Sequence, residues 1–146
     1  MSVTERILPA LMAVVFGALL IAAWCFTSLL TDTDVITEPD AGPLLGPAIG
    51  LAAVLVTWAW LGRVRAGGGV WQLALGAAAS SWFAMLVVGG VGYSLTRGDL
   101  TWVLLFAGKY ATSPFLLVPA LFAGLTVVLA RALIGRSPEA KSFDRR

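Results

Sequence analysis

The sequence predicts an all-α integral membrane bundle of four transmembrane helices, with a short interfacial helix before the fourth. The 146-residue chain is 59% hydrophobic and only 12% charged, whereas ordinary soluble domains carry roughly 25% charged residues. A soluble protein this short could not bury so much apolar surface in a core. Its apolar runs also reach the length of about 20 residues that crosses a bilayer. The chain therefore requires lipid as its solvent and forms one transmembrane domain.

The first predicted span covers residues 7–30, which contain no charged residue. A cleaved signal peptide is the first alternative, but the run is too long and lacks a small-residue cleavage pattern. Lipoprotein processing at Cys25 is the second, but the preceding residue, Trp24, is not small. We therefore predict that this segment is a retained spanning helix.

An acidic loop, residues 31–47, separates the first two spans and carries no Lys or Arg. Its carboxylates are hard oxygen ligands of the kind that Ca²⁺ and Mg²⁺ prefer. Their spacing does not match an EF-hand loop, and a loop kept soluble by its acids is the favoured interpretation. We predict no metal site, and the candidates for the alternative are Asp32, Asp34, Glu38 and Asp40.

The second and third spans are predicted at 44–62 and 70–92, with a polar connection at 93–99. The apolar stretch 100–134 would be about 52 Å long as one helix, and Pro114 interrupts it. We predict a short helix over 100–108 and a fourth span over 114–134. The alternative is one tilted helix kinked at Pro114 and Pro119. Residues 135–146 form a polar tail.

Positive charges predict the orientation, because cytoplasmic segments carry an excess of Lys and Arg. With four spans, eight of these residues fall on the side of the termini and two, Arg97 and Lys109, on the other. The termini are therefore predicted to be cytoplasmic and the acidic loop external. The eight are Arg6, Arg63, Arg65, Arg131, Arg136, Lys141, Arg145 and Arg146.

Small residues four positions apart share a helix face and let two backbones approach closely. This spacing predicts helix packing within the monomer, and an oligomer or partner interface is the alternative. Trp24 and Trp82 lie deep in their spans and are predicted to pack against other helices. The candidate packing residues are Gly42, Gly46, Gly50, Gly76, Ser80 and Gly124.

Polar groups inside the spans could instead line a transport pathway, for which the candidates are Ser80, Ser81 and Lys109. Hydroxyls inside lipid usually bond a nearby carbonyl or a neighbouring helix. A lysine inside the membrane would need a partner, and none of the four spans supplies an acid. We therefore predict that Lys109 lies at the outer interface and extends its ammonium to water.

Enzymatic chemistry is not predicted. The chain has no histidine and one cysteine, and it has neither a nucleophile–base pair nor a phosphate-binding glycine loop. No cofactor is predicted, and the formal charge of +2 does not suggest a nucleic-acid partner.

The first loop resembles a signature of small four-helix membrane proteins of actinobacteria, a family classified only as a domain of unknown function. The resemblance implies a bacterial inner membrane and no particular activity. Small multidrug transporters also have four spans, but they rely on a glutamate in the first helix, and residues 7–30 contain no acid. The residues that resemble the signature are Leu29–Asp32, Asp34–Ile36 and Pro39–Leu44.

The predicted function is that of a non-enzymatic small membrane protein, an accessory or interaction component that packs with itself or with another membrane protein. The alternative is a small transporter or channel subunit that uses Lys109 and the polar groups of the third span.

Overall fold

The computed structural model describes residues 3–37, 41–64 and 68–135, and in these ranges the chain forms five helices and no strand. The all-α prediction is confirmed. Four of the helices are long and apolar enough to cross a membrane. The predicted tail, apart from Gly135, lies outside the described residues. The helices are α1 (Val3–Thr31), α2 (Leu45–Arg63), α3 (Val70–Arg97), α4 (Thr101–Tyr110) and α5 (Pro114–Gly135).

Two buried clusters show that the long helices alternate in direction. One cluster joins the end of α1 and the start of α2 to the end of α3, to α4 and to the start of α5, and it includes Leu20, Ile49 and Phe106. The other joins the start of α1 and the end of α2 to the start of α3 and the end of α5, and it includes Met12, Leu61 and Val127. We call these the loop end and the tail end of the bundle.

Helix α3 is longer than predicted, because it continues through the supposed connection to Arg97. Tyr93 and Ser94 in that segment are buried rather than exposed. The helix ends at Gly98, whose φ of 70° is left-handed and whose N–H donates to the carbonyl of Ser94. A glycine in this conformation is a common helix terminator, so the end signal was Gly98 and not the first polar residue.

The prediction of two helices between residues 100 and 134 is confirmed, since α4 ends at Tyr110 and α5 begins at Pro114. Ser113 precedes α5 and bonds its first turn. Its carbonyl accepts from the N–H groups of Leu116 and Leu117, and its Oγ accepts from the N–H group of Phe115 at 3.3 Å. Proline suits the first helical position, because its missing N–H would have no partner there. The alternative of one continuous kinked helix is therefore excluded.

Close helix contacts occur at three of the predicted small-residue positions. A Cβ added at Gly50 would lie 3.1 Å from the Trp24 ring, one at Gly76 would lie 2.5 Å from the Trp60 ring, and one at Gly124 would lie 3.0 Å from the Ala74 carbonyl oxygen. These glycines therefore lie where neighbouring helices leave little room for a side chain.

Gly42 and Gly46 differ from the packing prediction. A Cβ added at either residue would meet no atom within 4 Å. Gly42 lies in the loop with a φ of +73°. A left-handed turn, and not a close contact between helices, therefore explains a glycine at this position. The four-residue spacing that links them to Gly50 therefore does not mark one packed face, because only Gly50 faces a neighbouring helix closely.

Candidate functional site

A cleft opens at the loop end, between the first loop and the turn that joins α4 to α5. Its volume is about 310 Å³. The loop side contributes hydroxyls and a carboxylate, and the other side contributes an ammonium, further hydroxyls and two apolar residues. The lining residues are Thr31, Thr33, Asp34, Thr37, Lys109, Tyr110, Thr112, Ser113, Pro114 and Phe115.

Three hydrogen bonds around Thr37 join the two sides of this cleft. The hydroxyl of Tyr110 accepts from the backbone N–H of Thr37 at 3.0 Å, and it shares a second hydrogen bond with Thr37 Oγ1, also at 3.0 Å. Lys109 Nζ donates to Thr37 Oγ1 at 3.0 Å. The ammonium also lies 5.4 Å from the centre of the Tyr110 ring, a cation–π distance. The loop is therefore attached to the end of α4 through neighbouring residues of that helix.

A column of aromatic rings holds Tyr110 in place. Its ring stacks on Phe106 with centroids 4.4 Å apart, Phe106 lies against Tyr93, and Tyr93 meets Trp102 edge to face at 5.6 Å. Tyr93, Phe106 and Tyr110 are all buried. Aromatic pairs in these arrangements contribute beyond their buried area. The cleft therefore lies on a packed aromatic layer at the end of the bundle.

Arg97 closes the other side of this aromatic column. Its guanidinium donates to the Tyr93 hydroxyl at 3.0 and 3.2 Å and lies 4.7 Å from the centre of the Trp102 ring. Arg97 and Lys109 are the two basic residues predicted on the side of the acidic loop, and the structure places both at the loop end. Arg131 lies at the tail end, where it donates to the carbonyl of Val64 at the end of α2 at 2.7 Å.

Of the four candidate metal ligands in the first loop, the structure describes Asp32 and Asp34. Asp32 and Asp34 are exposed and line a second cleft of about 360 Å³ with Ser28, Leu29 and Thr33. Glu38 and Asp40 lie outside the residues that the structure describes. Among the residues described, no group of three or more His, Cys, Asp or Glu is placed to hold a metal ion.

The transport candidates do not form one site. Ser80 Oγ accepts from Trp60 Nε1 at 2.6 Å and donates to the Gly76 carbonyl at 2.5 Å, which joins α3 to α2. Ser81 is fully buried, and its Oγ has no hydrogen-bond partner in the described part of the chain. Lys109 is exposed and bonds the loop at Thr37. Lys109 thus bonds the loop, whereas Ser80 joins α3 to α2.

Sequence reasoning missed Thr37, Tyr110, Thr112 and Ser113 as parts of the cleft. A signal was present, because the segment from Lys109 to Pro114 reads K-Y-A-T-S-P and concentrates polar side chains at a proline. Its partner segment lies more than 70 positions earlier in the chain, so only the fold could show that the two meet.

Comparison with known proteins identifies the family and little else. No curated protein and no solved structure matches the chain. A family model described as "Family of unknown function (DUF6121)" matches residues 2–145, which is nearly the whole chain. The chain therefore belongs to this family of unknown function, DUF6121.

Proposed function

We propose that the chain is a non-enzymatic multi-pass protein of a bacterial inner membrane, and that it acts as an accessory component whose binding surface is the loop end. Four long apolar helices support membrane insertion. The excess of Lys and Arg on the side of the termini supports a cytoplasmic location for both termini and an external loop. Helix α4, with Leu104 and the preceding residue Leu100 largely exposed, then lies at the outer membrane surface.

The observation that carries this proposal is the distribution of polar side chains between the interior of the long helices and the loop end. Inside the long helices, several hydroxyls bond local carbonyls: Thr57 donates to Ala53 at 2.8 Å and Thr126 to Phe122 at 2.7 Å. The larger collection of polar side chains lines the cleft at one end. Ammonium, carboxylate and hydroxyl groups at a surface recognise a partner through hydrogen bonds, and this distribution favours binding at the end over passage through the centre.

Transport is the second candidate function, and Ser81 favours it. A buried hydroxyl without a partner costs about 1–3 kcal/mol, so such groups in native proteins require an explanation. A water molecule or a transported polar solute that visits Ser81 would provide one. The candidate therefore predicts that solute flux depends on Ser81.

Site-specific photocrosslinking in living cells tests the proposal. A photoreactive amino acid at Leu100, just before α4, or at Leu104 within it should give discrete adducts with a membrane protein or with a second copy of the chain. The matched control is Leu75 of α3, which is also exposed but lies near the tail end. Discrete adducts from Leu75 alone, or solute flux in reconstituted vesicles without adducts from α4, would overturn the proposal.

A further inference from the structure

The loop-end cleft carries opposite charges on segments that the fold brings together. Asp34 comes from the loop, and Lys109 comes from the end of α4. Lys109 is oriented by Thr37 and by the Tyr110 ring. An ammonium has three donors, so it can bond other oxygens beside that of Thr37. Among the described residues that line it, the cleft has one cation, one carboxylate and several hydroxyls, and this set matches a ligand that has both a negative and a positive group.

Exposed apolar residues lie on two helices, α1 and α5, whose ends contribute Thr31, Pro114 and Phe115 to this cleft. Leu29 and Leu30, in the last turn of α1, are 79% and 85% exposed, and Leu117, in the first turn of α5, is 42% exposed. Trp24 Nε1 bonds the Phe115 carbonyl at 2.8 Å, so these helix ends are adjacent. A ligand bound by its polar part in the cleft would thus have hydrocarbon-compatible surface directly beside it.

We propose that the cleft binds the headgroup of a phospholipid that carries a phosphate and a primary ammonium, of the phosphoethanolamine type. The phosphate is bound by Lys109 and the hydroxyls of Thr112 and Ser113, and the ammonium by Asp34. The acyl chains follow the exposed leucines of α1 and α5. This inference rests on the proposed membrane insertion and names one ligand of the proposed binding surface.

The lining residues distinguish this headgroup from two other common ones. A quaternary ammonium has no N–H to donate to a carboxylate, and proteins recognise such groups with aromatic cages. The two aromatic residues of the cleft, Tyr110 and Phe115, are buried and do not form a cage. A glycerol headgroup has no positive charge for Asp34. The volume of about 310 Å³ is at the small end of the range of about 300–1,000 Å³ for ligand pockets, which suits a headgroup.

Native mass spectrometry of the delipidated full-length protein in detergent tests the assignment. The probes are phosphatidylethanolamine, phosphatidylcholine and phosphatidylglycerol with identical acyl chains, and free phosphoethanolamine. We expect the ethanolamine lipid to bind more tightly than the other two lipids. Asp34→Asn should lower its affinity about tenfold, because the hydrogen bond from the ammonium loses its charged acceptor. Lys109→Gln should weaken all three lipids, since each contains the phosphate.

Asp32→Asn is the matched control, because Asp32 is an exposed acid two positions away that does not line this cleft. It should leave all affinities unchanged. Equal affinities for the three lipids, or equal losses from Asp32→Asn and Asp34→Asn, would overturn the assignment. If free phosphoethanolamine binds as tightly as the lipid, the acyl chains contribute nothing, and the proposal that the ligand is a lipid is wrong.

Two further measurements keep the test separate from folding and from membrane insertion. If Lys109→Gln lowers the melting temperature, Asp34→Asn alone decides, because Asp34 is exposed and outside the helices. Cysteine labelling of the same variants in cells reports whether they span the membrane. A protein that spans normally without headgroup preference refutes this inference and leaves the proposed function intact.

Discussion

Trp24 in α1 donates its indole N–H to the carbonyl oxygen of Phe115 in α5 at 2.8 Å. In a regular helix this carbonyl would accept the N–H of residue 119, four positions later. Residue 119 is a proline and has no N–H to donate. Trp82 donates to the carbonyl of Ala111, in the break before Pro114, at 2.9 Å. Two tryptophans thus bond backbone oxygens in the part of the chain that two prolines interrupt, where lipid could not bond them.

Trp24→Phe should lower the free energy of unfolding by about 1–3 kcal/mol, because the Phe115 carbonyl loses its donor in apolar surroundings. The change keeps an aromatic ring in the same place. Thermal unfolding in detergent, followed by loss of the monodisperse peak in size-exclusion chromatography, measures it. Trp71→Phe is the control, since Trp71 is 76% exposed, and it should have little effect.

A second substitution separates the hydrogen bond from packing. In Trp24→Phe/Pro119→Ala, residue 119 gains an N–H that can donate to Phe115 within the helix. We therefore expect the double variant to be more stable than the sum of the two single changes predicts, with a coupling in the range of about 0.5–3 kcal/mol that contacting residues show. Strict additivity would show that the ring, and not its N–H, matters at Trp24.

These tryptophans show what the sequence could predict and what it could not. Their depth in apolar segments indicated contacts with other helices, and the break at Pro114 followed from the chemistry of proline alone. The atoms that accept their N–H groups could not be predicted, because the partner of Trp24 is 91 positions away. The polar residues that begin at Tyr93 predict an earlier end of α3 than the structure has, because burial of Tyr93 in the aromatic column keeps this segment helical.

Glycines that share the same four-residue spacing should respond differently to substitution. Gly124→Ala should destabilise the bundle by about 1–3 kcal/mol, because the new Cβ would lie 3.0 Å from the backbone oxygen of Ala74. Backbone cannot rotate away as a side chain can. Gly46→Ala should be neutral or stabilising by up to about 1 kcal/mol, since nothing lies within 4 Å of its Cβ and alanine favours a helix.

Thermal unfolding of these two variants, each compared with the wild type, checks the prediction. An equal loss from both would mean that Gly46 contacts a second copy or another partner in the membrane. That result would restore the alternative of an intermolecular interface that the small-residue pattern left open.

Asp99 should make the start of α4 sensitive to acid. Its Oδ1 accepts the backbone N–H of Thr101 at 2.9 Å, and this bond, followed by the side-chain bond to Thr101, holds the pKa of the carboxyl below its ordinary value of 3.8. A lowered pKa in the folded state means that the stabilisation is present above the unfolded pKa and is lost as pH falls through the folded pKa. The first turn of α4 should therefore loosen only below about pH 4.

Amide exchange at Thr101, measured by NMR in micelles between about pH 5 and 2.5, reports this loosening. Asp99→Asn keeps an acceptor oxygen and has no proton to gain, so its Thr101 amide should lose the additional acid-dependent step. A step of the same size in both proteins would assign the effect to another carboxyl.

Topology is tested with single cysteines in a background that lacks Cys25, which is exposed. Asp34→Cys places a thiol in the first loop, at the loop end, and Gly69→Cys places one between α2 and α3, at the tail end. Both positions are exposed. The excess of positive residues on the side of the termini predicts that only Asp34→Cys reacts with an impermeant reagent in intact cells. Both should react after the cells are broken. Labelling of Gly69→Cys alone would invert the proposed orientation.

The candidate site was predictable only at the level of its charges. The distribution of Lys and Arg placed Lys109 and Arg97 on the side of the acidic loop, and both lie at the loop end in the structure. The role of Thr37 was not predictable, because its contacts with Lys109 and Tyr110 span more than 70 positions. The two serines of α3 looked equivalent as neighbours in the sequence, yet helical geometry turns adjacent side chains about 100° apart.

Adjacent serines in α3 therefore give a paired test of the transport alternative. Ser80→Ala removes the acceptor of the Trp60 N–H and should cost about 1–3 kcal/mol, because that donor is left without a partner. Ser81→Ala removes a buried hydroxyl that has no hydrogen-bond partner in the described part of the chain, and should leave stability unchanged or raise it. Unfolding in detergent measures both changes. If Ser81→Ala is instead the more destabilising variant, its hydroxyl binds something absent from the isolated chain. A parallel loss of solute flux in vesicles would then favour transport over the accessory function.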